Sequence, residues 1–307
     1  MRTMKLGKTD LTVPVMALGC MRLAGAERKQ AAEFISTALD LGLNFFDHAD
    51  IYGGGKCETV FSELIKEAGV SRDKLLIQSK CGIVPGKMFD FSKEHIINSV
   101  DKILTRLGTD YLDVLLLHRP DALMEPDEVA EAFNILEDSG KVRHFGVSNQ
   151  DPYTMELLQR SLRQPLAANQ LQLSITNATM ISQPMNTNIN DGKDPVLDNG
   201  VMNYCRLNNI TIQPWSPFQY GMFEGTFMGN TEKFPKLNEK LDELAEKYNV
   251  ANTTIALAWL LRHPAKLQPV TGTINPKRIV DCAKAAEITL TREEWYQIYL
   301  AAGYRLP

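Results

Sequence analysis

The chain of 307 residues is 44% hydrophobic, enough to build one large core, and a single domain over 1–307 is expected. Its 33 basic and 37 acidic residues leave a net charge of −4 without a local basic cluster, which gives no electrostatic footprint for nucleic acid or an anionic membrane surface. Five cysteines, at 20, 57, 81, 205 and 282, are odd in number, widely spaced and lack C-x-x-C, so neither a disulfide framework nor a zinc knuckle is expected.

In chain order, Lys5, Lys8 and Asp10 interrupt the segment where a signal peptide needs an apolar stretch, and no later run reaches membrane-spanning length. With reduced thiols, this points to a cytoplasmic location. Residues 5–14 alternate poorly and read as a small hairpin closing the bottom of a barrel. Eight short apolar runs then read as strands, at 15–18, 44–46, 75–78, 112–117, 144–147, 168–171, 211–214 and 268–271. Helical periodicity separates them at 29–41, 58–67, 93–107, 127–139, 152–162 and 198–207, with extra helices at 236–248 and 253–262 before the eighth strand. A helix at 275–285 follows that strand, and Thr291 with Glu293 and Glu294 opens a last one to about 302. Ser92 and Gly108 mark a cap and a stop around 93–107. Eight strand–helix units predict an α/β fold, a (β/α)8 TIM barrel; the competing doubly wound sheet lacks a G-x-G-x-x-G after its first strand. Residues 177–196 and 218–234 carry no periodic pattern and read as long loops at the C-terminal mouth. Their Met180, Met185, Phe218, Tyr220, Met222, Phe223 and Phe227 suit either an adaptable pocket or a lid over core.

Chemistry-bearing residues gather at the C-terminal ends of three neighbouring strands. Asp47 ends the second, Tyr52 lies just beyond, Lys80 ends the third and His118 the fourth. Adjacent strands lie about 5 Å apart, so the four side chains can converge. Each alone has a bland reading, as turn cap, packing aromatic, surface lysine or satisfied histidine. Together, a carboxylate and an ammonium directed into a barrel mouth must pair, and the ammonium then lowers the pKa of the phenol beside it. A phenol so tuned is an acid.

FFDHADIYGGG, the strand ending in QSK at Lys80, YLDVLLLHRPD and GKVRHFGVSN resemble the motifs of the aldo-keto reductase family, in its order and spacing from about residue 13 to 279. The resemblance implies NADP(H)-dependent reduction of a carbonyl to an alcohol. Asp47, Tyr52, Lys80 and His118 would be the catalytic tetrad and Tyr52 the proton donor. It further implies that Ser148, Asn149 and Gln170 hold the nicotinamide carboxamide and that Trp215 stacks on the ring. Met21, Asp47, Ser216, Phe218 and Asp281 would line the cofactor.

In TGTINPKRI, Asn275 reads as a helix cap, Pro276 as the first helical residue, and Lys277 and Arg278 lie beside amides free to bind an anion. The resemblance puts the adenosine 2′-phosphate here, on Thr273 and Arg278; Gly272 stands where the family has a lysine, so NAD(H) remains an alternative cofactor. Arg22 reads as either an attractor for an anionic substrate or a solvated surface residue.

Three other readings stay open: an NADPH-sensing regulatory subunit with little turnover, a metal-dependent hydrolase using Asp47, His48, Asp50 and His118, and a Schiff-base enzyme using Lys80. Alternation turns His48 away from Asp47, and with five histidines and no H-x-H no metal site is expected. Substrate identity, oligomeric state and reaction direction are not legible.

Overall fold

A computed structural model describes residues 1–187 and 199–306. Its centre is an eight-stranded parallel sheet rolled into a nearly closed barrel. The chain enters through β1 (Thr3–Lys5) and β2 (Thr12–Pro14), an antiparallel hairpin pairing Thr3 with Pro14. This is the expected bottom plug: Leu6 and Val13 are fully buried against Phe45, Val114 and Leu116 in the barrel interior.

The barrel strands follow as β3 (Ala17–Gly19), β4 (Phe45–Asp47), β5 (Leu76–Cys81), β8 (Leu112–Leu117), β9 (Val142–Ser148), β10 (Leu166–Gln172), β11 (Thr211–Trp215) and β12 (Val270–Thr271). Each pairs in parallel with its chain neighbour up to β11, and β12 returns to β3 through Val270 and Ala17. The Gln268 amide donates to the Ile212 carbonyl at 3.0 Å and bridges the remaining seam. Between β5 and β8 lies an element absent from the sequence reading, a hairpin of β6 (Ile83–Val84) and β7 (Met88–Phe89). Two-residue strands are too short to show alternation.

Helices α1 (Arg28–Asp40), α2 (Lys56–Glu67), α3 (Lys93–Leu107), α4 (Pro126–Asp138) and α5 (Pro152–Ser161) cover the first strands within two residues of expectation. Their buried faces meet the outward side chains of the strands in one continuous core. The supposedly unpatterned segment 177–196 instead opens with α6 (Thr179–Met185), whose Pro184 hides it from a periodicity argument. The rest of that segment, from 188, lies outside the described residues, as does position 198, where the next helix was expected; α7 is Val201–Asn208. Then come α8 (Pro235–Tyr248), α9 (Asn252–Leu261), α10 (Pro276–Lys284) and α11 (Arg292–Ala301). Thr291 and Glu294 form a reciprocal capping box at α11. Among the described residues no helix is long and apolar enough to cross a membrane.

Candidate active site

Strand alternation decides which groups enter the barrel. On β4, Phe45 and Asp47 face inward, while His48 turns outward and its ring lies 4.6 Å from that of Phe61 on α2. Burial, followed by the charge of Lys80, pushes His48 down to about 3, so it is a neutral packing group. Among the described residues no three His, Cys, Asp or Glu side chains are placed to share a metal ion.

On β5 the inward residues are Gln78 and Lys80. Lys80 Nζ donates to Asp47 Oδ2 at 2.8 Å, to the His48 carbonyl at 2.8 Å and to Tyr52 Oη at 3.2 Å. An ammonium has three donors and no acceptor, so Tyr52 Oη must accept and its own hydrogen stays available. Tyr52 is held at this point by a turn whose Gly53 and Gly54 take φ of 59° and 63°, conformations that favour glycine. The His118 ring stands edge-on to Tyr52 with centroids 6.1 Å apart. The expected convergence of Asp47, Tyr52, Lys80 and His118 is therefore present.

One expectation is corrected. The Lys80 charge pulls the Tyr52 pKa down, but burial outweighs it and the phenol lies above its ordinary value. Burial disfavours a phenolate more than one already paired ammonium favours it. For Lys80, burial works against the charge, yet Asp47 and Tyr52 together hold the ammonium above its ordinary value. Burial, with Lys80 and Arg119, drives His118 well below the usual imidazole range.

Beneath the tetrad runs an amide network that the sequence reading missed. Asp47 Oδ1 accepts from Gln78 at 2.6 Å and from Gln170 at 3.0 Å. Gln213 accepts from both glutamines, at 2.9 and 3.2 Å, and donates to Gln268 at 2.9 Å. The chain ends on the Pro14 carbonyl, 2.7 Å from Gln268 Nε2, at the barrel floor. Gln78 shares its strand face with Lys80, two residues on, which was the available signal.

A cavity of about 1270 Å³ opens above this floor. Tyr52, His118, Met21, Asp47, Ser148, Asn149, Gln170, Trp215, Ser216, Phe218, Gly272, Thr273, Arg278 and Asp281 all line it, while Lys80 lies beneath. Of the loop residues once grouped as pocket or lid, Phe218, Met222 and Phe223 reach the cavity, whereas Met180 and Phe227 are core. Asn149 and Ser216 adopt φ of 59° and 53°, strained values for side-chain-bearing residues at strand ends. Ser148 Oγ donates to the Gln170 carbonyl at 2.9 Å and accepts from Asn149 Nδ2 at 2.7 Å. Asn149 Oδ1 accepts from Trp215 Nε1 at 3.1 Å, fixing the indole at the wall.

At the far end, the amides of Lys277 and Arg278 are not free: both donate to Asn275 Oδ1, at 3.0 and 3.3 Å. The cap consumes the amide donors that a phosphate was expected to use. Arg22 is exposed, as the surface reading expects, but it also lines the cavity and has a partner. Its guanidinium donates to the Gly272 carbonyl, and a Cβ on Gly272 would lie 2.7 Å from Arg22 Nη1. Arg22 thus fills the space a side chain at 272 would need.

The aldo/keto reductase family model matches residues 15–301. The chain belongs to the aldo/keto reductase family. It is 37% identical over 288 residues to Oxidoreductase YdhF of Escherichia coli (strain K12), covering 91% of this chain and 90% of that one. A 6-dehydroglucose reductase of Agrobacterium fabrum is 34% identical over 278 residues, 87% of this chain and 86% of its own. Among solved structures, a thermostable aldo-keto reductase, Tm1743, in complex with the inhibitor epalrestat matches with a TM-score of 0.78 and 26% identity, covering 98% of this chain and 100% of its own. This aldo-keto reductase is accordingly an oxidoreductase on a (β/α)8 barrel, of a family that uses a nicotinamide nucleotide.

Proposed function

We propose that this protein reduces an aldehyde or ketone to an alcohol with NADP(H), Tyr52 supplying the proton. The observation that carries the reading is the Asp47–Lys80–Tyr52 hydrogen-bond chain at the cavity floor, with His118 beside it. Bound nicotinamide would supply the hydride.

Because Tyr52 lies above its ordinary pKa, it is a protonated phenol at neutral pH, the form an acid needs. Its hydrogen, unused by Lys80, is free to turn toward an oxygen that binds in the cavity. An alkoxide is a stronger base than a phenolate, so the proton passes from Oη to the former carbonyl oxygen as that oxygen gains charge. The phenolate left behind faces the Lys80 ammonium, whose interaction strengthens only at that stage. His118, held neutral, does not compete as the acid but can donate an N–H hydrogen bond that orients the carbonyl. Asp47 acts through Lys80, keeping the ammonium charged in a buried place.

The wall residues fit a nicotinamide nucleotide. Gln170 spends Nε2 on Asp47 and Gln213, which leaves Oε1 to accept from a carboxamide. Asn149 Oδ1 keeps one lone pair, Ser148 lies beside it, and Trp215 offers a flat face. Met21, Ser216 and Phe218 would enclose the ring and ribose. Thr273 and Arg278 would take the 2′-phosphate with Asp281 nearby, and Arg22 would supply the cation that Gly272 cannot.

A purely regulatory role would leave the Lys80–Tyr52 contact without a purpose. The test is NADPH consumption over a panel of aldehydes, ketones and dicarbonyls, with fluorescence-quenching titrations of NADPH and NADH. Turnover with tighter NADPH binding is expected. No turnover of any carbonyl refutes the activity, and tighter NADH refutes the cofactor preference.

A further inference from the structure

We infer that Arg119 selects carbonyl substrates that also carry a carboxylate. The inference rests on the reductase reading above and names the substrate class of that site. Arg119 directly follows His118 at the end of β8 and lines the cavity half-buried. Among the described residues, no carboxylate or carbonyl pairs with its guanidinium. Its guanidinium lies over the face of Trp215, whose ring centroid is 5.6 Å from Cζ.

Other partly buried arginines in this protein are treated differently. Arg72, with a side chain 21% exposed, meets Asp113 at 2.7 Å, and Arg106, 25% exposed, meets Glu58 at 2.7 Å. Arg262 donates to the Leu290 carbonyl at 2.8 Å. Taking a guanidinium out of water without a counter-charge costs free energy, and it is retained where a ligand provides the missing partner. Burial accordingly pushes the Arg119 pKa down, Tyr52 pulling the other way.

The charges around the cavity place that partner. Among the described residues, two carboxylates line it, Asp47 and Asp281. Asp47 is neutralised by Lys80 at 2.8 Å, and Asp281 sits on α10 at the opposite end, 3.5 Å from Lys284. His118 is neutral. Among the described residues the reacting end therefore carries one uncompensated positive charge, on a planar group suited to two-pronged contact with a carboxylate. A carbonyl held by Tyr52 and His118 lies one residue from that group, with Ile83, Trp215 and Phe223 enclosing an apolar space for a short linker. A short oxo-acid matches these features in order: carbonyl, apolar linker, anion.

The test compares succinic semialdehyde with butanal, which has the same chain length and no charge, in the NADPH-loaded enzyme. The expected kcat/KM ratio favours the acid by about 10- to 100-fold, the range for a charge-assisted contact. In Arg119→Gln that ratio falls to about one, chiefly through KM for succinic semialdehyde, and Arg119→Lys keeps part of it. Succinate, which has no reducible carbonyl, competes in the wild type and loses that effect in Arg119→Gln. The inference is overturned if the wild type prefers butanal or treats both alike. It is also overturned if Arg119→Gln lowers kcat equally for both, the mark of an action through Tyr52 or on the fold. Failure to reduce any aldehyde overturns the reductase reading and the inference with it.

Discussion

Replacing Lys80 with methionine isolates the charge beneath Tyr52. The ammonium lies 3.2 Å from the phenol oxygen, and at an effective dielectric constant of about 20 it attracts a phenolate there by about 5 kcal/mol, equivalent to about 4 pH units. Without it, the Tyr52 pKa, already raised by burial, climbs further, and Asp47 adds to the rise. As the proposed proton donor, Tyr52, weakens, reductive kcat at pH 7 should fall by about 100-fold. Alcohol oxidation needs the phenolate, and its rise with pH should move upward and leave little activity at pH 9. Asp47 is left buried without its counter-charge, a loss of about 3–5 kcal/mol in stability, moderated by Gln78 and Gln170, which still donate to it. The assays are steady-state rates in both directions from pH 6 to 10, with thermal unfolding alongside. Should Lys80→Met not fold, Asp47→Asn/Lys80→Met removes both charges, recovering stability but not turnover. An oxidation profile that coincides with the wild type's would refute the electrostatic argument.

The Asp50 carboxyl is raised to about 7, first by burial and then by Glu58, with Arg106 opposing. A pKa raised on folding favours the protonated folded state, so that contribution is complete below about pH 4 and is lost as pH rises through 7. Asp50→Asn should therefore raise Tm at pH 8, with the gain fading toward pH 4; a pH-independent difference in Tm contradicts this. Arg278→Ala should weaken NADPH about 10- to 100-fold and NADH far less, as the loss of one charge-assisted phosphate contact requires. Equal losses in quenching titrations would remove Arg278 from the 2′-phosphate. Arg22→Ala should also loosen NADPH, and unchanged affinity would leave Gly272 without a substitute cation.

Much of this fold is legible where local chemistry and tertiary demand agree. Helix α3 begins after Ser92, whose Oγ accepts from the His95 amide, and ends at Gly108 in the left-handed conformation. Both signals lie in the sequence. The β6–β7 hairpin and α6 are not legible, since the first is too short for a period and the second contains a proline. At the site, strand ends place Asp47, Lys80 and His118 correctly because alternation alone decides which side chains turn inward. The net direction of the Tyr52 pKa was not accessible: the ammonium is visible in sequence, but the depth of burial is a property of the assembled barrel. The same holds for Arg119, which stands inside the HRPD stretch beside His118. Its lack of a partner emerges only when its surroundings are in place. At α10 the Asn275 cap is legible in the sequence but its consequence is not, because the cap side chain itself takes the Lys277 and Arg278 amides.

The most direct test of the account is Tyr52→Phe, which deletes one oxygen and keeps the ring. Reductive turnover should fall by about 10²- to 10⁴-fold, the range for a positioned acid, while NADPH affinity by fluorescence quenching changes by about twofold or less. A variant that retains most of its turnover, or loses the cofactor instead, would contradict the assignment of Tyr52 as the proton donor.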